Sequence, residues 1–126
     1  MMMKKSLIMT MMFVLLLAGC TSSSYQKITA QEGKEILQSD SSVILLDVRT
    51  VAENKEIRIP DSLLIPLDTL QAQAATLLSD KNAKIIIYCR SGNRSKEAAD
   101  ILIELGYTNV LDMGGIIDWP YETESE

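Results

Sequence analysis

The segment from Lys84 to Ser95 places the strongest constraint on the fold. An apolar β-type run, Lys84–Tyr88, is followed directly by Cys89, by a polar loop and by a helical pattern that begins near Ser95. A buried run of this length that leads through a short loop into a helix is typical of a parallel sheet. The thiol would then face a helix N-terminus, where unpaired N–H groups and the helix dipole favour an anion. We therefore expect Cys89 to be a reactive thiol.

Strand and helix patterns alternate along the whole chain. Strands are expected at 25–28, 43–48, 63–65, 84–88 and 109–113, and helices at 29–38, 50–56, 67–79, 95–105 and 116–119. The alternation predicts an α/β fold with a central, mostly parallel sheet of about five strands flanked by helices. Ligands of such sheets lie beyond the carboxyl ends of the strands, and Cys89 lies at one such end. The helix at 67–79 is expected to bury Leu67, Leu70, Ala74, Leu77 and Leu78.

The N-terminal segment has the pattern of an export signal. Lys4 and Lys5 precede an apolar stretch of about a dozen residues, which is too short for a membrane span of about 20 residues. Its end, Leu17-Ala18-Gly19-Cys20, resembles the lipobox of bacterial lipoproteins. The resemblance implies a signal peptide at 1–19, lipidation of Cys20 and a lipidated tether at 20–24. An uncleaved anchor, or an ordinary signal with a chance cysteine, is the alternative.

A lipoprotein signal also predicts where the protein is located. We expect an exported protein held to the cell envelope by the lipid on Cys20. It would face the periplasm from the outer membrane if the source has one, and otherwise lie on the outer face of the plasma membrane.

Charge and composition exclude several classes of function. Without residues 1–19 the chain keeps 10 basic and 17 acidic side chains, which argues against nucleic acid as a partner. The chain has no histidine, so Cys–His dyads and Ser-His-Asp triads are excluded and zinc has no credible ligand set. If Cys20 is lipidated, Cys89 is the only free thiol. No metal site is expected.

Several motifs, taken in order, resemble the single-domain rhodaneses, which are sulfurtransferases. They are Asp47-Val48-Arg49, Glu53, Ile59-Pro60, Ile65-Pro66, the loop Cys89–Ser95, and Gly114-Gly115-Ile116 with Trp119. The resemblance covers nearly all of 28–119. It implies a rhodanese-like domain, here expected at 25–121 and without an organic cofactor. An acidic tail at 122–126 follows, and we expect it to be disordered.

The resemblance also implies a reaction. Cys89 would attack the outer sulfur of a small anionic donor such as thiosulfate, hold it as a persulfide and pass it to a thiol or protein acceptor. The substrate would be bound by the loop that follows, whose backbone N–H groups would form an anion nest: Arg90, Ser91, Gly92, Asn93, Arg94 and Ser95. Ser95 is also expected to cap the helix.

Asp47 and Arg49 are expected to support the site rather than to react. An acid that ends an apolar strand needs a partner, because an unpaired buried charge is costly. Arg49 is the candidate for that partner.

The chain departs from the family pattern between Asn54 and Ser62. Asn54 replaces a usual aromatic residue, Ile57-Arg58 replaces Gly-His, and Asp61-Ser62 replaces Gly-Ala. A glycine often marks backbone angles that cost other residues energy, above all a β-branched residue such as Ile57. We therefore expect this turn, and access to the site, to differ from those of other members.

Other functions also fit a cysteine in an anion-binding loop. The domain could relay sulfur from a protein partner or sense oxidants, with negligible turnover of free thiosulfate. Cysteine-dependent phosphatases and arsenate reductases are less consistent with the spacing. Phosphatase loops read Cys-x5-Arg, whereas here Ser95 occupies that position and Arg94 lies one residue earlier. A buried structural thiol is the remaining alternative.

Overall fold

The computed structural model describes residues 24–126. The expected signal peptide, the lipidation site Cys20 and the tether as far as residue 23 lie outside the described residues. Within residues 24–126 we find no helix that is both long and apolar enough to cross a membrane.

Five strands form one sheet in which every neighbouring pair is parallel. Its order is β1-β5-β4-β2-β3, with β1 at Gln26–Lys27, β2 at Ile44–Asp47, β3 at Leu63–Leu64, β4 at Ile85–Cys89 and β5 at Val110–Gly115. The predicted α/β fold with a five-stranded parallel sheet is confirmed. Because the strands are parallel, Asp47 and Cys89 reach the same edge of the sheet, where Asp47 is in register with Tyr88.

Four helices cover the sheet: α1 at Ala30–Ser39, α2 at Val51–Glu56, α3 at Leu67–Leu77 and α4 at Asn93–Glu104; a 3-10 turn follows at Ile116–Asp118. Capping boxes begin α1, where Thr29 and Glu32 exchange hydrogen bonds, and α2, where Thr50 and Glu53 do the same. The second box explains why a helix as short as α2 has a sharply defined start.

The sheet separates two apolar layers. Side chains that alternate along β4 enter opposite layers, Ile85 and Ile87 on one side and Ile86 and Tyr88 on the other. The first layer packs against α3 and α4 and includes Cys89; the second packs against α1 and Trp119. The prediction that Leu77 is buried is wrong, since it is 45% exposed. Because α3 ends at Leu77, Leu78 takes the buried position.

The acidic tail is ordered, so the expectation of disorder at 122–126 is wrong. Arg58 and Glu124 exchange backbone hydrogen bonds of 2.9 Å as an antiparallel bridge. The Glu126 N–H donates to the Lys55 carbonyl oxygen at 3.0 Å. The tail is held because the backbone after α2 offers peptide groups that it can pair with.

Candidate active site

Cys89 is the last residue of β4, and only Arg90, Ser91 and Gly92 separate it from α4. Gly92 has a φ of 106°, a left-handed conformation that favours glycine. Its N–H donates to the Cys89 Sγ at 3.0 Å. The sulfur therefore lies at the amino end of α4, whose first N–H groups have no partner within the helix. The helix begins at Asn93, two residues earlier than the sequence pattern indicated.

The end of β5 lies directly against this loop. Gly115 is in register with Cys89, and a Cβ atom there would lie 2.7 Å from the Ser91 Cα and overlap the Arg90 carbonyl oxygen. The same oxygen accepts a hydrogen bond from the Ile117 N–H at 3.3 Å. Gly114 and Gly115 are the last two residues of β5. They allow the strand to approach the loop, which fixes the backbone around the sulfur.

Arg94 pairs with Glu53 across the site. Its Nη1 and Nη2 donate to the Glu53 Oε1 and Oε2 at 2.7 and 2.9 Å. The hydrogen bonds from Arg94 lower the pKa of Glu53 from 4.5 to about 2, and those to Glu53 raise the pKa of Arg94. Arg94 thus joins α4 to α2 and braces the loop. Among the described residues, Arg90 is the arginine of this loop that forms no ion pair.

The remaining loop residues differ in exposure. Ser91 and Asn93 are exposed, whereas Ser95 is fully buried. The Ser95 hydroxyl donates to the Gly92 carbonyl oxygen at 3.1 Å. The prediction that Ser95 caps the helix is wrong, because α4 starts earlier and Gly92 is its N-cap.

Asp47 and Arg49 form the expected ion pair, and both are buried. The Arg49 Nε donates to the Asp47 Oδ1 at 2.9 Å and the Nη2 donates to Oδ2 at 2.8 Å. The Arg49 backbone N–H donates to Oδ1 as well, at 2.9 Å. Arg49 also donates to the Ile57 carbonyl oxygen at 2.6 Å and lies over the Tyr88 ring. The pair therefore ties β2 to the end of α2 and to the residue that precedes Cys89.

Two of the family departures contribute to this buried network. The Asn54 amide donates to the Asp47 Oδ2 at 3.0 Å. The Tyr88 hydroxyl lies 3.2 Å from the same oxygen and 3.0 Å from the Ser62 Oγ, and it accepts from the Ile59 N–H at 3.2 Å. Burial raises the pKa of Tyr88. The apolar pattern of β4 marks Tyr88 only as part of a strand, so the sequence gives no sign that its hydroxyl belongs to the site.

The backbone strain expected at Ile57 is found at another position. Ile57 is extended, with a φ of −157°, so the lack of a glycine there costs nothing. Asp61 has a φ of 64°, in the left-handed region that aspartate tolerates better than most residues. The turn therefore keeps one left-handed position, at Asp61, where the family usually has glycine.

A cavity of about 490 Å³ lies beside the loop. Arg90 lines it, and so does Ile116, which follows the register partner of Cys89. The remaining wall is formed by Arg49, by α2 and the residue after it, and by the chain after β5. It consists of Arg49, Glu53, Glu56, Ile57, Ile117, Trp119, Pro120, Tyr121 and Thr123.

Comparisons with known proteins identify the family of this fold. A family model described as the rhodanese-like domain matches residues 29–120. A sulfurtransferase of Allochromatium vinosum is 36% identical over 94 residues, which cover 74% of this chain and 86% of that protein. The thiosulfate sulfurtransferase PspE of Escherichia coli is 36% identical over 73 residues, covering 58% of this chain and 70% of PspE.

A solved structure of a rhodanese with anions from E. coli is similar in fold. Its TM-score is 0.63 at 31% identity, and the match covers 67% of this chain and 99% of that one. Fold, motifs and relatives agree, and the chain, which is similar to the two sulfurtransferases named above, belongs to the rhodanese-like family.

Proposed function

We propose that this protein moves sulfane sulfur from a small anionic donor, such as thiosulfate, to a thiophilic acceptor through a persulfide on Cys89. One observation carries the proposal. The Cys89 sulfur lies at the amino end of α4, with the Gly92 N–H 3.0 Å from it and Arg90 next to it in the chain. Preorganised N–H groups at such a position stabilise a sulfur anion without reorganisation.

Both steps are displacements at sulfur. The Cys89 thiolate attacks the outer sulfur of thiosulfate, the S–S bond of the donor breaks, and sulfite leaves with the bonding electron pair. The outer sulfur of the resulting persulfide is then attacked by the acceptor. The new S–S bond of the protein breaks and the thiolate of Cys89 is restored. With cyanide as the acceptor the product is thiocyanate.

The two arginines of the loop have different roles in this proposal. Arg90 is exposed and forms no ion pair within the described residues, so its guanidinium can receive the anionic donor. Arg94 is engaged by both oxygens of Glu53 and holds the loop in place. Asp47 and Arg49 support the end of β2 beside the site.

A cyanide–thiosulfate assay on residues 21–126 tests the proposal. We expect Cys89→Ser to lower turnover at least about a thousandfold, because the nucleophile is lost. Thiosulfate alone should add about 32 Da to the wild-type protein and nothing to the variant. Adding Ser91→Cys to the Cys89→Ser variant should not restore activity, because the new thiol would lie elsewhere in the loop. Full activity of Cys89→Ser would disprove the mechanism.

The same assay separates enzyme from relay. Cys89 is only 1% exposed, which would favour delivery by a partner that opens the loop over turnover of a free anion. If thiosulfate gives the sulfur adduct but no thiocyanate forms, the relay function is supported. Release of phosphate from an aryl phosphate by the wild-type protein, lost in Cys89→Ser, would instead support a phosphatase.

We also propose that the protein is a lipoprotein of the cell envelope, on the basis of Leu17-Ala18-Gly19-Cys20. The test is metabolic labelling with a radioactive fatty acid. The full chain should be labelled and sediment with membranes, whereas Cys20→Ser should be unlabelled. Equal labelling of the two proteins would contradict lipidation at Cys20. In a source with an outer membrane, membrane separation would place the labelled protein.

A further inference from the structure

We propose that the C-terminal strap, residues 121–126, determines which acceptors this protein uses, and that Arg58 holds it in place. The inference rests on the proposed sulfur transfer and specifies the class of acceptor. The strap forms one wall of the cavity beside Arg90. The acceptor assigned to this cavity is a compact organic thiol with an apolar body and an anionic group.

Three of the hydrogen bonds that hold the strap join Arg58 to Glu124, beside the bond from the Glu126 N–H to the Lys55 carbonyl oxygen. Arg58 exchanges two backbone hydrogen bonds of 2.9 Å with Glu124, and its Nε donates to the Glu124 Oε1 at 3.0 Å. Arg58 stands where the family pattern usually has histidine, whose shorter side chain carries no permanent charge. The departure at this position and the order of the tail therefore belong together.

The strap also contacts the wall of the cavity itself. The Trp119 indole N–H donates to the Glu122 carbonyl oxygen at 2.9 Å. The Trp119 and Tyr121 rings pack edge to face, with their centroids 4.9 Å apart. Tyr121 and Thr123 line the cavity directly. Loss of the strap would therefore remove one side of the cavity and expose Trp119, which is now 8% exposed.

The size and charge of the cavity indicate the occupant. A volume of about 490 Å³ is in the range of sites for small organic molecules and is far larger than thiosulfate or cyanide requires. Ile57, Ile117 and Tyr121 line it and are each more than a third exposed, which offers apolar contact to a ligand. Arg49 and Glu53 have charged partners elsewhere. Arg90 is thus the cation that remains for an anionic group, and Glu56 is the carboxylate of the lining that forms no ion pair within the described residues.

The test exchanges the two charges of the Arg58–Glu124 ion pair. Arg58→Glu and Glu124→Arg are made singly and together in the protein with residues 21–126. Lys27→Glu, in the outer strand β1, serves as the charge control. Trp119 is the only tryptophan, so its emission reports on the strap without any turnover. We expect a red shift in both single variants and wild-type emission in the exchanged pair.

Turnover with two acceptors then tests specificity. For 6-mercaptohexanoate we expect each single variant to lower kcat/KM about tenfold through KM, and the exchanged pair to recover most of it. For cyanide all variants should stay within about twofold of the wild type. Simple attraction of the carboxylate would instead move Arg58→Glu and Glu124→Arg in opposite directions. That outcome, or no recovery in the exchanged pair, would overturn the proposal.

A second variant keeps the test decisive if the charge variants unfold. Thr123→Trp should fill the cavity and lower kcat/KM for 6-mercaptohexanoate more strongly than for cyanide, because both reactions share the donor but only the thiol needs the filled space; equal effects on both would count against the strap. Failure of the proposed function is recognised separately. In that case the wild-type protein would gain no mass of about 32 Da from thiosulfate, whatever the strap variants do.

Discussion

Two ion pairs, one at the end of β2 and one that holds the strap, have nearly the same length, but the first is buried and the second is exposed. The Asp47–Arg49 pair spans 2.8 Å between side chains that are 0% and 2% exposed. The Arg58–Glu124 pair spans 3.0 Å between side chains that are 21% and 47% exposed. Breaking a buried pair leaves a charge without solvent, whereas water replaces most of what an exposed pair loses. The first pair therefore fixes the framework, and the second can only position the strap.

The Glu53–Arg94 pair lies between these extremes. It is bidentate, and its side chains are 27% and 32% exposed. We expect its contribution to the free energy of unfolding to be intermediate as well. The three pairs thus differ in burial and in geometry, since this pair and the buried one are bidentate and the Arg58–Glu124 pair has one side-chain hydrogen bond.

The largest effect is expected from Asp47→Asn. The substitution keeps the shape of the side chain but leaves Arg49 buried without a counter-charge, so the free energy of unfolding should fall by about 3–5 kcal/mol. Urea unfolding followed by circular dichroism measures it. Asp61→Asn is the matched control, because it removes an exposed carboxylate at a left-handed position that asparagine also tolerates. A loss below about 1 kcal/mol for Asp47→Asn would mean that water reaches Arg49.

Glu53→Gln should have a smaller effect that depends on pH. The folded-state pKa of Glu53 is about 2, below its ordinary value of 4.5. The ionised carboxylate therefore stabilises the fold above about pH 4.5, and this stabilisation is lost as the pH falls towards 2. After allowance for solvent, we expect Glu53→Gln to cost about 1–2 kcal/mol at pH 7.

Glutamine makes this substitution selective, because it can replace glutamate in the capping box of α2. Unfolding curves of the two proteins from pH 7 to pH 2 give the measurement. The difference between them should shrink steadily in acid. A difference that stays constant over the range would show that the effect comes from packing and not from the charge.

Asn54→Ala tests the polar network around the buried pair. The Asp47 Oδ2 would lose the Asn54 amide at 3.0 Å but keep Arg49 at 2.8 Å. We expect a loss of about 1 kcal/mol in the free energy of unfolding, the usual value of one hydrogen bond. Glu56→Ala, in the same helix and outside every ion pair of the described residues, is the control for helix propensity. Equal stability of the two variants would indicate that Asn54 contributes nothing.

The sequence was sufficient for the parts of the molecule that are set by local patterns. The apolar runs that end at Asp47 and Cys89 predicted parallel strands, and the spacing of Asp47 and Arg49 predicted their pairing. The bond between Glu53 and Arg94 joins residues 41 positions apart, and that between Arg58 and Glu124 joins residues 66 apart. No local pattern contains such contacts, and an acidic tail without apolar residues is typical of disorder.

The positions at which this chain replaces a glycine of the family pattern were equally difficult to judge from the sequence. Ile57 and Asp61 both replace a usual glycine, yet only Asp61 takes a left-handed φ. The residue type gives no means of deciding which of two glycines a turn requires. Only the backbone angles distinguish them.

The smallest effect is expected from Glu124→Gln. The backbone bridge between Arg58 and Glu124 is retained, and only the exposed ion pair is lost. The free energy of unfolding should therefore fall by less than about 1 kcal/mol, and the difference should shrink further in 1 M salt, where the Debye length is about 3 Å. Glu122→Gln, two residues earlier in the same strap, controls for the change in net charge. A loss above about 2 kcal/mol that salt does not reduce would make this pair equivalent to Asp47–Arg49, and the contrast between a fixed framework and a positioned strap would fail.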